Sequence, residues 1–170
     1  TAQLMRMVLD ASEESYIYLK NEIALLNKYL RLEKLRFDEA CSFDIMLDPK
    51  IEAEYTRVPP MLIQPFVENA LKHGFYSHQG VKKLTVEYRL LSKDEIMCII
   101  TDNGIGREKA ADFSSQKEHI SRGTHLTKTR LSLLRRHKEK GIHVRYEDLK
   151  DDSGQASGTQ VSIRIPAQQI

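Results

Sequence analysis

The chain of 170 residues has no tryptophan, only two cysteines, five prolines and eight glycines. Cys41 and Cys98 lie far apart, each beside strand-like sequence. That argues against a disulfide framework and for a reducing compartment. Long apolar runs are also missing. The longest, such as residues 96–100, are strand-sized, well short of the ~18 residues of a membrane span. The amino terminus is not a basic segment followed by an apolar one, so no signal peptide is expected. Charge of one sign is missing too: 26 basic and 24 acidic side chains leave +2. That balance gives no support for nucleic-acid binding. The most basic stretch, 130–140, has no aromatic residue on which bases could stack. Neither an internal repeat nor a long low-complexity tract is visible.

What is present reads as an ordinary globular protein, 41% hydrophobic and 29% charged. The length suits one domain, or one domain with a helical appendage, and can bury a core without disulfides or metal. The charge is unevenly spread. Residues 1–60 carry eight basic and eleven acidic side chains, net −3, and residues 61–170 carry eighteen and thirteen, net +5. The larger part would suit an anionic ligand, or merely a solvated surface.

Along the chain, residues 3–9 resemble the end of a helix and 10–18 a polar connection. Residues 19–37 are helical in pattern. Leu19, Ile23, Leu26 and Leu30 follow 4–3–4 spacing, with Leu25, Tyr29 and Leu32 on a flanking stripe. So wide a stripe predicts a helix packed in a bundle or dimer rather than one lying on its own domain. Residues 41–47 alternate like a strand. Pro59-Pro60 introduces a second helix over 61–72, closed by His73-Gly74. Residues 84–91 and 95–101 predict a hairpin. A sharp turn at 102–106, a short helix and loop over 107–122, a basic helix over 124–138, and strands at 142–149 and 159–166 complete the order. Antiparallel strands with helices on one face predict an α+β sandwich, not a doubly wound parallel sheet.

Four segments carry chemistry. In Glu68-Asn69-Ala70-Leu71-Lys72-His73-Gly74 an acid, an amide and an ammonium cluster at one edge of an apolar helix. Such a cluster could hold a metal ion and phosphate oxygens, and it equally fits a surface salt bridge beside a helix-ending asparagine. Asp102-Asn103-Gly104-Ile105-Gly106 leaves a strand, its two glycines permitting positive φ and close approach. By itself it is a tight turn. Arg122-Gly123-Thr124 opens a helix whose free amides suit an anion, or ordinary capping. Gly158-Thr159 opens a strand whose apolar face is Val161, Ile163 and Ile165.

In order and spacing these four segments resemble the ATP-binding domain of sensor histidine kinases, within the GHKL superfamily of histidine kinases, gyrase, a heat-shock chaperone and a mismatch-repair ATPase. The run from Pro59 to Gly74, preceded by Tyr29-Leu30 and Leu35-Arg36-Phe37, is similar to the LytS-type branch. The resemblance spans residues 4–166. It implies a two-layer α/β sandwich of the histidine kinase/gyrase/heat-shock-chaperone ATPase type with an N-terminal helical segment. Residues 1–40 would be the remnant of a helical dimerisation and phosphoacceptor domain, and 41–170 the ATP-binding catalytic domain.

The resemblance also implies site residues. Asn69 would coordinate the Mg²⁺ that bridges ATP phosphates, with Glu68 as a polarising or general-base group and Lys72 and His73 lining the phosphate end. Asp102 would accept a hydrogen bond from the adenine amino group, supported by Thr159. Gly104 and Gly106 would let nucleotide and loop approach. Arg122, Gly123 and Thr124 would form the phosphate turn, and residues 111–121 a mobile ATP lid. His125 and Lys128 depart from the glycine and asparagine many family members carry there. No histidine stands in residues 1–72, and none has the Asn-Pro-His-Phe-like setting of the phosphoacceptor. The expected activity is therefore transfer of the ATP γ-phosphoryl group to a histidine outside this chain, without autophosphorylation of the piece itself. The alternative is a regulatory module or pseudokinase that switches a helical dimer interface. The implied partners are ATP, a second copy through the N-terminal helices, and a response regulator. The implied location is the cytoplasmic side of a parent protein in the bacterial inner membrane.

Overall fold

A computed structural model describes residues 16–37, 41–75, 80–107 and 142–170. Strand β1 (Ile17–Tyr18) leads directly into helix α1 (Leu19–Lys34). Strands β2 (Cys41–Leu47) and β3 (Thr56–Val58) follow, then the short helix α2 (Gln64–Asn69), which widens into a π-helical turn, Ala70–Gly74. Strands β4 (Lys82–Ser92), β5 (Glu95–Asp102), β6 (His143–Lys150), β7 (Ala156–Pro166) and β8 (Gln168–Gln169) complete the described elements.

Five strands form the main sheet, in the order β2-β4-β5-β7-β6. All pairs are antiparallel except β2–β4, which is parallel. A parallel pair needs a crossover, and the segment holding β3 and α2 supplies it. The register lines up side chains across three strands. Leu90, Ile96 and Ile165 form one row, Tyr88, Cys98 and Ile163 the next, and Val86, Ile100 and Val161 a third. Every residue of these rows except the partly buried Leu90 is buried. This is what strict period-2 alternation produces when one face of a sheet is covered.

The cover is helical. Leu19, Leu26 and Leu30 of α1, Phe66 and Val67 of α2, and Leu71 of the π turn share one apolar core with these rows. The acidic Glu22 in the first turn of α1 and Arg31 and Lys34 in its last turn complement the helix dipole. The helix expected to pack in a bundle thus lies in the core of its own domain: a wide stripe announces burial, and here the sheet and α2 supply it. The second helix begins at Gln64, three residues later than expected, with Pro65 in its first turn.

A second, three-stranded sheet, β1-β3-β8, was not anticipated. It pairs Ile17 with Val58 and Thr56 with Gln169, fastening the start of α1 to the carboxy-terminal end. The Lys20 amide, an otherwise orphaned donor at the start of α1, reaches the Ala53 carbonyl at 3.1 Å.

Candidate nucleotide site

The fourth row of the sheet breaks the apolar pattern. It is Leu84, Asp102 and Thr159. Asp102 is 4% exposed and Thr159 is 9% exposed. A carboxylate and a hydroxyl thus stand side by side where the hydrophobic face ends. A buried carboxylate is costly unless its lone pairs are used. One is used locally: the Gly104 amide donates to Asp102 Oδ1 at 2.9 Å.

The turn after β5 is built around that carboxylate. Asn103 staples it to β4, its Nδ2 donating to the Val81 carbonyl at 2.8 Å and its Oδ1 accepting from the Lys83 amide at 2.7 Å. Gly106 alone of the two motif glycines adopts a positive φ, +81°; a Cβ there would meet the Ala156 side chain at 3.0 Å. Gly104 is buried and needs no positive φ. Arg107 then anchors the chain to β6, with two 2.7 Å hydrogen bonds to the Asp148 carboxylate and its guanidinium 5.2 Å from the centre of the Tyr146 ring. This pairing holds the Asp148 carboxyl below its ordinary range.

Gly158, part of the fourth segment but given no role of its own by the sequence reading, is required by the backbone beside Asp102. Its φ is +138°, and a Cβ would fall 1.9 Å from the Asp102 backbone oxygen. The signal was present as the Gly before Thr159, but its cause is the approach of a neighbouring strand.

The second group sits on α2 and the π turn. Glu68 and Asn69 are half-buried and Lys72 is exposed. Glu68 accepts from Gln64 Nε2 at 3.1 Å through Oε1 and stands 3.9 Å from Lys72 Nζ through Oε2. Tyr29 of α1 joins this cluster: its own burial first, then the nearby carboxylates of Glu68 and Glu33, push its phenol well above the usual range. His73 lies in the π turn. This turn packs against β5 and β7, the strands that end in Asp102 and begin near Thr159. Arg122, Gly123, Thr124 and the segment 111–121 lie outside the described residues. Among the described residues no group of three or more His, Cys, Asp or Glu side chains is arranged to hold a metal ion.

A buried acid ahead of α2 was not foreseen. Glu22 of α1 is 4% exposed, and its Oε2 accepts the Met61 amide at 3.0 Å, just ahead of α2.

These features define a class: a two-layer α+β sandwich whose covered sheet face ends in a buried acid, beside a helix end rich in polar groups. Comparison with known proteins agrees. Residues 60–169 match the family model of the histidine kinase-, DNA gyrase B- and HSP90-like ATPases, and residues 1–41 match a histidine kinase model. The chain belongs to the histidine kinase-, DNA gyrase B- and HSP90-like ATPase family. The sensor protein LytS of Bacillus subtilis is 31% identical over 97% of this chain and 27% of its own length. The B. subtilis protein YwpD is 30% identical over 95% of this chain and 54% of its own. The chain thus spans between about a quarter and about half of these curated relatives. Among solved structures, the histidine kinase domain of the Erythrobacter litoralis blue-light activated kinase aligns over 96% of this chain and 76% of its own, with TM-score 0.61 and 16% identity. The mycobacterial sensor histidine kinase MprB aligns over 91% and 98%, with TM-score 0.59 and 16% identity. At such identities the likeness is one of fold.

Proposed function

We propose that the chain is the ATP-binding catalytic part of a sensor histidine kinase and that it passes the γ-phosphoryl group of ATP to a histidine outside this chain. The observation that carries the reading is the Leu84–Asp102–Thr159 row, a buried carboxylate beside a threonine at the end of an otherwise apolar sheet face.

Asp102 would select the base. A carboxylate accepts from the exocyclic amine of adenine and is repelled by the carbonyl that guanine presents there. Thr159 would support this contact, and Gly104 and Gly106 would let the nucleotide come close to backbone. The half-buried amide of Asn69 is an oxygen donor suited to Mg²⁺, which takes few protein ligands and keeps water and phosphate oxygens. The bound ion would neutralise charge on the phosphates. Glu68 would polarise the incoming nucleophile, and Lys72, His73, Arg122, Gly123 and Thr124 would hold phosphate oxygens. Phosphoryl transfer asks mainly for such positioning and charge neutralisation. In this reading residues 1–40 are the remnant of a helical dimerisation and phosphoacceptor domain, with α1 seated on the catalytic fold, and 41–170 are the ATP-binding catalytic domain. The partners would be a second copy through the amino-terminal helices and a response regulator. The parent would sit in the bacterial inner membrane with this part in the cytoplasm. No helix among the described residues is itself long and apolar enough to cross a membrane.

The test is calorimetric titration of ATP with and without Mg²⁺. Asp102→Asn should weaken ATP, ADP and adenosine alike. Asn69→Ala should lose the magnesium-dependent part of ATP affinity and keep adenosine binding. Unchanged affinity in Asp102→Asn overturns the adenine assignment.

A further inference from the structure

We propose that Glu22 is a positioning residue for the magnesium-binding end of α2: its buried carboxylate ties α1 to the entry turn of α2, so that the placement of Asn69 depends on where α1 sits. The inference rests on the functional reading above and deepens it.

Four observations meet at this side chain. Glu22 lies on the covered side of α1 with Leu19, Leu26 and Leu30, where an apolar residue would bury more cheaply. Its Oε2 accepts the Met61 amide at 3.0 Å, and the amides of Leu62 and Ile63 also act on it. Met61 has φ +54°, a left-handed conformation rare for a residue with a side chain. Such a conformation persists only where the surroundings over-determine it. Finally, α2 has no side-chain cap of its own at Ile63, and Glu22 holds the turn just ahead of it, from Met61 to Ile63.

From this turn the chain runs through one short helix to the site. Helix α2 holds six residues, Gln64 to Asn69, about 9 Å at 1.5 Å per residue. A displacement at Met61 would pass along this helix to Asn69. Magnesium tolerates little displacement, since it demands near-ideal octahedral geometry at about 2.0–2.1 Å. Glu22 contacts backbone rather than phosphate or metal, so it acts through α2. It also stands near Tyr88 and Cys98 in the middle of the sheet, so the tether reaches the core and cannot swing freely.

The test uses the full 170-residue chain with Glu22→Met, which keeps apolar volume but removes the acceptor, and Glu22→Gln, which keeps an acceptor oxygen. The readouts are thermal melting, adenosine affinity, and the ratio of ATP affinities with and without Mg²⁺. Partners that orient a metal ligand are worth about 10–100-fold in metal affinity. Glu22→Met should therefore reduce the magnesium gain by about 10-fold while adenosine affinity stays unchanged, and Glu22→Gln should restore most of the gain. A magnesium gain that survives Glu22→Met overturns the proposal, whatever happens to melting. A parallel fall in adenosine affinity and magnesium gain also overturns it, because that pattern is general loosening. If the unsubstituted chain shows no magnesium gain, the functional reading falls and this proposal with it, a result distinct from failure of the tether alone.

Discussion

Gly158→Ala should be among the most damaging single-methyl additions in the described fold. The added Cβ would lie 1.9 Å from the Asp102 carbonyl oxygen, 2.9 Å from its carbon and 3.0 Å from the Asn103 Cα. All three are backbone atoms, so no side chain can rotate away. Relief requires the start of β7 to part from the end of β5 by more than 1 Å, which strains the Asp102–Thr159 pairing. Overpacking of this kind costs about 1–3 kcal/mol, and the positive φ of +138° adds about 1–3 kcal/mol for a residue with a Cβ. The sum is ~2–6 kcal/mol. For a chain of this length that corresponds to a fall of roughly 4–24 °C in Tm. Gly154→Ala is the control. Gly154 also has positive φ, +78°, but nothing lies within 4 Å of its Cβ, so it reports conformational strain alone. Thermal melts of the two variants with and without ADP separate the effects. Gly158→Ala should melt well below Gly154→Ala and lose nucleotide affinity, while Gly154→Ala should keep it. Equal melting and equal affinity for the two variants would refute the argument that backbone approach at Asp102 makes position 158 a glycine.

Three further outcomes are expected. Asp102→Asn, which keeps shape and the Gly104 contact, should weaken adenine nucleotides at least tenfold, about 1.4 kcal/mol, in a calorimetric titration with a circular dichroism spectrum like that of the unsubstituted chain. Arg107→Ala should leave the melting point nearly unchanged, because its ion pair with Asp148 is exposed, yet raise amide exchange over residues 103–107. Glu22 should make stability depend on pH in the direction opposite to that of a surface acid. Burial raises its folded pKa above 4.5 against the opposing pull of the Met61, Ile63 and Leu62 amides. Above that value the unfolded chain gives up its proton first, so this contribution falls as pH rises through the window and then levels off. Tyr88 and Cys98 beside it stay neutral there, each held well above its ordinary value by burial. The difference in Tm between the unsubstituted chain and Glu22→Gln should thus favour the unsubstituted chain more at pH 4 than at pH 7; a flat difference would count against the burial argument.

Legibility in the sequence followed the range of the interaction. Strands β4, β5 and β7 were readable because Leu84, Val86 and Tyr88, or Val161, Ile163 and Ile165, alternate over several pairs. The two- and three-residue strands β1, β3 and β8 have no period to read, so the small sheet was invisible. The parallel sense of β2 is a property of its partner, not of Cys41–Leu47. For α1 the stripe announced burial but not the covering surface; a sheet and a second helix leave the same trace. Asp102 was marked by its motif, whereas Gly158 owes its identity to a strand reached only after more than fifty residues of chain. Glu22 was hardest to find, since a glutamate among helical leucines is usually solvated and only tertiary structure shows it buried.

The proposed adenine contact and the hydrophobic core are one continuous surface. Three rows across β4, β5 and β7 bury apolar side chains, and the fourth places Asp102 and Thr159 in the same orientation one step further along. The site thus inherits its precision from strand register, which cannot slip by one residue without turning the whole covered face outward. The polar groups on α2 do not share that protection. A six-residue helix followed by a π turn is held by packing and by its entrance, and the entrance is held in turn by α1. A division of labour follows from this geometry and the proposed roles: recognition of the base would be tied to the register of the sheet, and handling of the phosphates to helices placed by packing. Under the proposed assignments, a signal that arrives along α1 would act on the phosphate end and leave the adenine contact in place.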